Sequence, residues 1–311
     1  MMETNKWINP KIGFIGFGEV SYYMAKGLKE AGIKEIYAYA RALADPERSD
    51  AVRKRGEEAG AVLYGDIKSL MDKSDIVFSS VHGHVSLQIA EQAAAHIRKG
   101  TLFADLNNAV PEDKRKASEL ITEKGAAFID VGLLGLPIQN GHRSLIYVSG
   151  NGASMFKEIM EPYGMRITLV PGEAGKAASI KALANIYMKG LQGVCLELAM
   201  SAVRADIDLE ILEPLLVDPV LSLPREKDMG FWIIRGALLA ERKKAEMAEA
   251  VKMLKGLGVE PLMLEAAVKR FDHISKFEAQ KYFEADMKID DYKEIIDKII
   301  SVGKEKGIEL K

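Results

Sequence analysis

The chain has 311 residues, a formal net charge of −2 and 48% apolar residues, enough for two domains of ordinary size (~150 residues each) with sizeable cores. A charge so near zero argues against nucleic acid or an acidic membrane surface as the main partner. No apolar run reaches the ~18 residues of a membrane span and no basic-then-apolar signal segment opens the sequence, so a cytoplasmic protein is expected.

The first apolar run, Ile12–Ile15, reads as a buried strand. It leads straight into Gly16-Phe17-Gly18 and then into a helical pattern with Met24, Ala25 and Leu28 on one face. In such a strand–turn–helix unit Gly16 permits the tight turn, and Gly18 lets the backbone approach a pyrophosphate at the positive helix end. Ser21 takes the third small position. Gly16, Phe17, Gly18, Glu19 and Val20 are thus candidate cofactor contacts; the alternative is an ordinary tight turn in an α/β protein. Further strands are expected at Glu35–Tyr39, Asp75–Val81, Leu102–Asp105, Ala127–Val131, Leu145–Ser149 and Ile167–Val170. Helical stretches at Pro46–Glu58, Ser86–Ile97, Glu112–Lys124 and Ala153–Met160 separate them, an alternation that implies a mostly parallel sheet covered on both faces. After Gly172 the β signal stops. Ala174 to Arg204 is a long Ala- and Leu-rich helix, and Glu241–Leu257, Leu262–Arg270 and Tyr292–Lys306 also read as helices, with breaks at Pro214, Pro219, Pro224 and Pro261. The expectation is a doubly wound α/β domain over 1–170 followed by an all-α domain over 171–311. The single cysteine, Cys195, excludes an intrachain disulfide; between Val194 and Leu196 it reads as a small buried hydrophobe rather than a nucleophile.

Ligands of open α/β sheets bind beyond the carboxyl ends of the strands, and four segments fall there. Arg41 follows the second strand where an acidic residue would bind the ribose of NAD; an arginine can instead pair with the 2′-phosphate of NADP, aided by Arg48 and Arg53. The alternative is a solvent-exposed arginine. Val81-His82-Gly83-His84 places two histidines near a cofactor ribose or a proton path. His-x-His also raises zinc, but no Cys or acidic cluster completes a site, so no metal is expected. Asn107 and Asn108 offer donor and acceptor to the nicotinamide ribose or a substrate hydroxyl, or cap the helix after Pro111. Lys181 and Asn185 stand i,i+4 on one face of the long helix. A desolvated lysine there can exchange protons with an alcohol, with Asn185 holding the same hydroxyl or carboxylate; the alternative is two surface residues.

Together Gly16-x-Gly18, Asp105-x-x-Asn108-x-x-Pro111, Gly172-x-x-Gly175 and Lys181-x-x-x-Asn185 resemble, in order, the β-hydroxyacid dehydrogenases, which include 3-hydroxyisobutyrate and 6-phosphogluconate dehydrogenases. Gly16-Phe17-Gly18-Glu19 and the run Asp130 to Gly150 look like its phosphogluconate-dehydrogenase-like branch. The resemblance implies a Rossmann domain, a helical dimerising domain with a cleft between the two, and hydride transfer between NADP (or NAD) and a small hydroxy acid. It implies Lys181 as general acid/base, Asn185 as a substrate positioner and Asn108 at the nicotinamide ribose or substrate. The sequence departs where the family's Asp-Ala-Pro-Val-Ser-Gly-Gly reads Asp130-Val131-Gly132-Leu133-Leu134-Gly135-Leu136. Leu134 replaces the serine that holds the substrate carboxylate, which leaves recognition to groups such as backbone amides near Gly135. Ala184 and Met188 stand where the 6-phosphogluconate enzymes carry His and Glu, which argues against decarboxylation of that substrate. Two rivals remain: an imine reductase on the same scaffold, and a noncatalytic NADP-binding sensor.

Overall fold

The computed structural model describes residues 7–134, 137–208, 210–211, 228–283 and 292–309. The chain forms two compact units, residues 1–186 and 187–311. The division falls inside the long helix, whereas the sequence reading puts the domain boundary at residue 170. The first turn of that helix carries Ala177 and Ala178, both buried, and so belongs with the sheet.

In the first unit β1 (Ile12–Ile15), α1 (Glu19–Glu30), β2 (Ile36–Tyr39), α2 (Ser49–Ala59), β3 (Val62–Tyr64), α3 (Ile67–Met71), β4 (Ile76–Ser79) and α4 (Ser86–Ala94) follow in order. They are succeeded by β5 (Leu102–Asp105), α5 (Pro111–Thr122), β6 (Ala127–Leu133), α6 (Pro137–Asn140), β7 (Leu145–Ser149), α7 (Ala153–Met160), β8 (Arg166–Leu169) and α8 (Lys176–Arg204). The strands make one eight-stranded sheet, β3-β2-β1-β4-β5-β6-β7-β8. It is parallel except between β6 and β7. Strict βα alternation fails there: among the described residues the link from β6 to β7 holds the one-turn α6 and a 3₁₀ turn at Gly141–Arg143, too short for a crossover.

Strand alternation sends Ile12, Phe14, Ile76 and Phe78 to one apolar layer and Ile15, Val77, Phe103 and Phe128 to the other. Burial on both faces explains why the central strands read as unbroken apolar runs. The strand order reverses between β1 and β4. That is the switch point where such sheets open a crevice at their carboxyl ends.

β3 was not expected: it is three residues long, sits at the sheet edge, and its Val62 is exposed. The helix expected from Pro46 begins only at Ser49; Arg41–Ala44 is a 3₁₀ turn, and the Asp45 carboxylate holds the Glu47 N–H at 3.0 Å.

The second unit continues α8 and adds α9 (Asp228–Leu238), α10 (Ala240–Gly256), α11 (Leu262–Ser275) and α12 (Tyr292–Lys306). Ala237, Phe277, Ala279 and Ile299 form its small buried cluster. Pro261 gives α11 no capping side chain, and the buried Glu197 takes that role, accepting the N–H groups of Met263 and Leu264 at 2.8 and 3.1 Å. Cys195 is exposed, not buried: on α8 it shares its surroundings with exposed Val194 and Leu196. The expected breaks at Pro214, Pro219 and Pro224 lie outside the described residues, as does Gly135. Among the described residues no helix is long and apolar enough to cross a membrane.

Candidate active site

The turn after β1 lies at the switch point. Gly16 has φ +85°, and a Cβ there would stand 2.3 Å from the Ser80 carbonyl oxygen, so only glycine passes this corner. Its N–H donates to the Tyr39 carbonyl at 2.8 Å, and its own carbonyl accepts the buried Ser21 hydroxyl at 2.6 Å. Ser21 thus ties the turn to α1 and does more than leave room for it. Gly18 is the N-cap of α1 without a capping side chain, and a Cβ there would meet nothing within 4 Å. An uncapped helix start with open room at Gly18 suits a pyrophosphate, so these residues fit a dinucleotide. Phe17 corrects the sequence reading in one respect. Its side chain is buried in edge contact with Phe14, leaving only its main chain for a cofactor. Val20 packs partly into the same core, while Glu19 is exposed. Arg41 is exposed two residues past Tyr39, at the same end of the sheet; Arg48 and Arg53 are exposed as well.

The loops after β4 and β5 are joined by Asn107. Its Oδ1 accepts the Val81 N–H at 2.6 Å, its Nδ2 donates to the Ser79 hydroxyl at 3.0 Å, and its own N–H donates to Asp105 Oδ1 at 2.9 Å. The side chain is 3% exposed with both amide atoms engaged, so it is a clamp between loops and not a substrate contact. Nor does either asparagine cap α5, whose N-cap is Val110 without a side-chain bond. Asn108 is exposed. A Cβ on Gly83 would lie 2.0 Å from the Asn108 carbonyl oxygen, so the histidine loop rests on the asparagine loop. The exposed rings of His82 and His84 stack with centroids 5.9 Å apart. Among the described residues no group of three or more His, Cys, Asp or Glu gathers as metal ligands.

Lys181 and Asn185 are half-buried on α8, within the first unit. Lys181 reaches the sheet because β6 has glycine where the helix crosses it. A Cβ on Gly132 would stand 2.6 Å from the Ala177 carbonyl oxygen and 3.6 Å from Lys181 Cβ. Burial, then the nearby Lys114 ammonium, hold Lys181 below the ordinary lysine range, against the pull of Asp105 and Asp130. Among the described residues its ammonium makes no hydrogen bond or ion pair. Leu134 is half-buried, and its N–H donates to the Leu145 carbonyl at 3.0 Å, so this amide is not available to a carboxylate. In the second unit Lys244 pairs with Glu241 and Asp272 at 2.7 and 3.5 Å.

Three residues that sequence reasoning passed over complete the site's floor. Lys114 Nζ stands 3.3 Å from Asp105 Oδ1 and 3.5 Å from Asp130 Oδ1, and donates to the Asp105 carbonyl at 2.8 Å. Asp130 Oδ2 accepts the Gly175 and Ala178 N–H groups at 2.8 and 3.0 Å and the Ser149 hydroxyl at 3.1 Å. Ser149 Oγ in turn accepts the Ala177 N–H at 3.1 Å. A strand carboxylate and a strand hydroxyl thus cap α8 in place of a residue of its own. Burial pushes the Asp105 carboxyl up, with Lys114 pulling the other way. The signal for Lys114 was its spacing: it stands three and seven residues before Ala117 and Ile121, on the buried stripe of α5.

Over residues 11–172, more than half the chain, the sequence matches the family described as the NAD binding domain of 6-phosphogluconate dehydrogenase. An uncharacterized 28.5 kDa protein of Methanothermus fervidus is 29% identical over 269 residues, covering 86% of this chain and 99% of the relative. Mitochondrial 3-hydroxyisobutyrate dehydrogenase of Drosophila melanogaster is 26% identical over 211 residues, 66% of this chain and 62% of that enzyme. A reductive aminase from Aspergillus terreus, solved in complex with NADPH and ethyl levulinate, shares the fold at a TM-score of 0.70 and 17% identity, with 93% of this chain and 99% of that one covered. A glycine turn at the switch point, room at the helix N-terminus beside it and a family match over residues 11–172 lead to one conclusion: the chain belongs to the family of NAD(P)-binding dehydrogenases and reductases built on the NAD-binding domain of 6-phosphogluconate dehydrogenase.

Proposed function

We propose that the protein is an NADP-preferring oxidoreductase acting on the CH–OH group of a small hydroxy acid or sugar-acid-like substrate, with Lys181 as general acid/base. The observation that carries this reading is Lys181 itself. It is half-buried, unpaired among the described residues, and held below its ordinary range by burial and by Lys114. A structural lysine in such surroundings is normally paired, whereas a proton carrier needs a form that gives and takes at moderate pH.

Bound NADP supplies the hydride exchange at its nicotinamide ring. The chain supplies position and the proton. The main chain from Gly16 to Val20 cradles the pyrophosphate, Arg41 pairs with the 2′-phosphate, and the His82 loop and Asn108 meet the ribose of the nicotinamide half. In the oxidising direction neutral Lys181 Nζ accepts the hydroxyl proton, and in the reducing direction its ammonium returns it. Asn185, one turn along α8, holds the same hydroxyl or a carboxylate through its amide. The chain pairs with a second copy through its helical unit, where Leu191, Leu196, Met200 and Val203 are exposed on α8.

The test is NADP⁺ reduction, followed by absorbance, across aldonic, branched-sugar and short hydroxy acids, beside Lys181→Met. Turnover on one class that the substitution abolishes, with NADPH affinity retained, supports the reading; a variant that keeps its rate sinks the assignment of Lys181. A second reading, imine reduction, is favoured by Leu134, which sets an apolar side chain where the family's carboxylate-holding serine is expected. Cyclic imines with NADPH therefore belong in the same panel. Tight NADPH binding with silence on every substrate would favour a sensor.

A further inference from the structure

Lys114 is 1% exposed, and burying a lysine is costly unless neighbouring charges compensate it. The parallel register of β5 and β6 sets Asp105 directly beside Asp130, and like charges facing each other across paired strands repel. The ammonium of Lys114 reaches both carboxylates and so holds that pairing together. Relieved of repulsion, Asp130 keeps its second oxygen on the Gly175 and Ala178 N–H groups, at the first turn of the helix that carries Lys181. Asp130 and Gly132 are two residues apart on β6 and address the same face of the strand. Lys114 meets that face at Asp130, and Lys181 meets it at Gly132.

We propose that Lys114 is a positioning residue for Lys181: it secures the Asp130 anchor of α8 and fixes a positive charge on the strand face that Lys181 meets. The proposal rests on the reading of Lys181 as the proton carrier, and it predicts opposite effects from two substitutions. Among the described residues the charges that act on Lys181 come from Lys114 on α5, Asp105 on β5 and Asp130 on β6. Lys114→Met leaves two carboxylates uncompensated near Lys181 and favours its protonated form. Asp105→Asn removes one carboxylate at nearly constant shape and favours the neutral form. A role in packing alone would not give opposite signs.

The full chain is reductively methylated with ¹³C, and the dimethyl-Lys181 resonance is assigned by its absence in Lys181→Arg. Its pH titration then reads Lys181 without any turnover. The midpoint is expected to rise by about one pH unit or more in Lys114→Met and to fall in Asp105→Asn. Midpoints that stay put, or that move in the same direction, overturn the proposal. Should Lys114→Met fail to fold, Asp105→Asn decides alone: a lower midpoint supports the proposal, and an unchanged or higher one overturns it. Opposite shifts combined with an active Lys181→Met enzyme would support this charge arrangement while refuting the acid/base reading, so the two failures are distinguishable.

Discussion

Gly132→Ala tests whether the crossing of β6 and α8 places Lys181. The added carbon would stand 2.6 Å from the Ala177 carbonyl oxygen, whereas a carbon–oxygen contact in packed protein settles at about 3.3 Å. Strand and helix must therefore separate by roughly 0.7 Å, because the obstacle is backbone and not the end of a flexible side chain. Overpacking of this kind costs ~1–3 kcal/mol, offset by the ~0.4–1 kcal/mol that alanine gains from a stiffer unfolded chain. The net loss is about 1–2 kcal/mol, which for a unit of this size lowers Tm by roughly 2–8 °C. The consequence for activity is larger. Lys181 Cβ stands 3.6 Å from the new methyl, and a misplacement approaching 1 Å at a reacting group costs on the order of 10²-fold in rate. Thermal melts and steady-state kinetics on the substrate found by the panel give both numbers, with NADPH binding by fluorescence as an internal control. Gly65→Ala, where nothing lies within 4 Å of the added carbon, is the matched control. Wild-type stability and kcat in Gly132→Ala would refute the idea that this close approach sets the position of the lysine.

Arg41→Ala should weaken NADPH by roughly 10- to 100-fold, the worth of a charge-assisted pair, and leave NADH nearly unchanged; equal effects in a binding titration would remove Arg41 from the 2′-phosphate. Asn107→Ala strands the Val81 N–H and the Ser79 hydroxyl and should cost about 1–3 kcal/mol by chemical denaturation. Asn108→Ala should leave stability unchanged and raise the Kd for cofactor or the KM for substrate. Lys181→Met should be more stable than the parent at neutral pH. The folded chain holds Lys181 below the ordinary 10.5, so the unfolded chain binds more protons between the two values and parental stability rises with pH across that window. The advantage of the methionine variant should shrink as the pH approaches 10.5, and melts at pH 7 and pH 10 that show the same difference would contradict it.

What was legible in the sequence depended on how local its cause was. Ile12–Ile15 followed by Gly16-x-Gly18 is a local pattern, and β1, its turn and α1 fall where that pattern puts them. The edge strand β3 left no such mark, because three residues with an exposed valine show neither an apolar run nor a convincing alternation. Cys195 misled for a related reason. Val194 and Leu196 beside it look like core neighbours, yet α8 leaves all three exposed. The two asparagines were equivalent as residue types, and only the fold separates them: Asn107 points inward to clamp two loops, while Asn108 stays at the surface.

The role of Lys114 was illegible for a deeper reason. The run Pro111-Glu-Asp-Lys-Arg-Lys reads as a solvated helix start, and its neighbours Glu112 and Lys116 do pair with each other at the surface. One residue of the run turns inward. Its spacing sets it on the buried stripe of α5, but the need for a charge there comes from a register: β5 and β6 pair so that Asp105 faces Asp130, and a cation is needed between them. Register is set by the packing of the whole sheet, so the requirement exists only once the fold does. The same register puts Ser149 opposite Asp130 on the other side, completing the cap of α8. A charge cluster assembled this way can be retuned by single substitutions that leave the Lys181-x-x-x-Asn185 motif intact. Relatives sharing that motif are then expected to differ in the pH range over which they work, in step with the residues at the positions of Asp105 and Lys114.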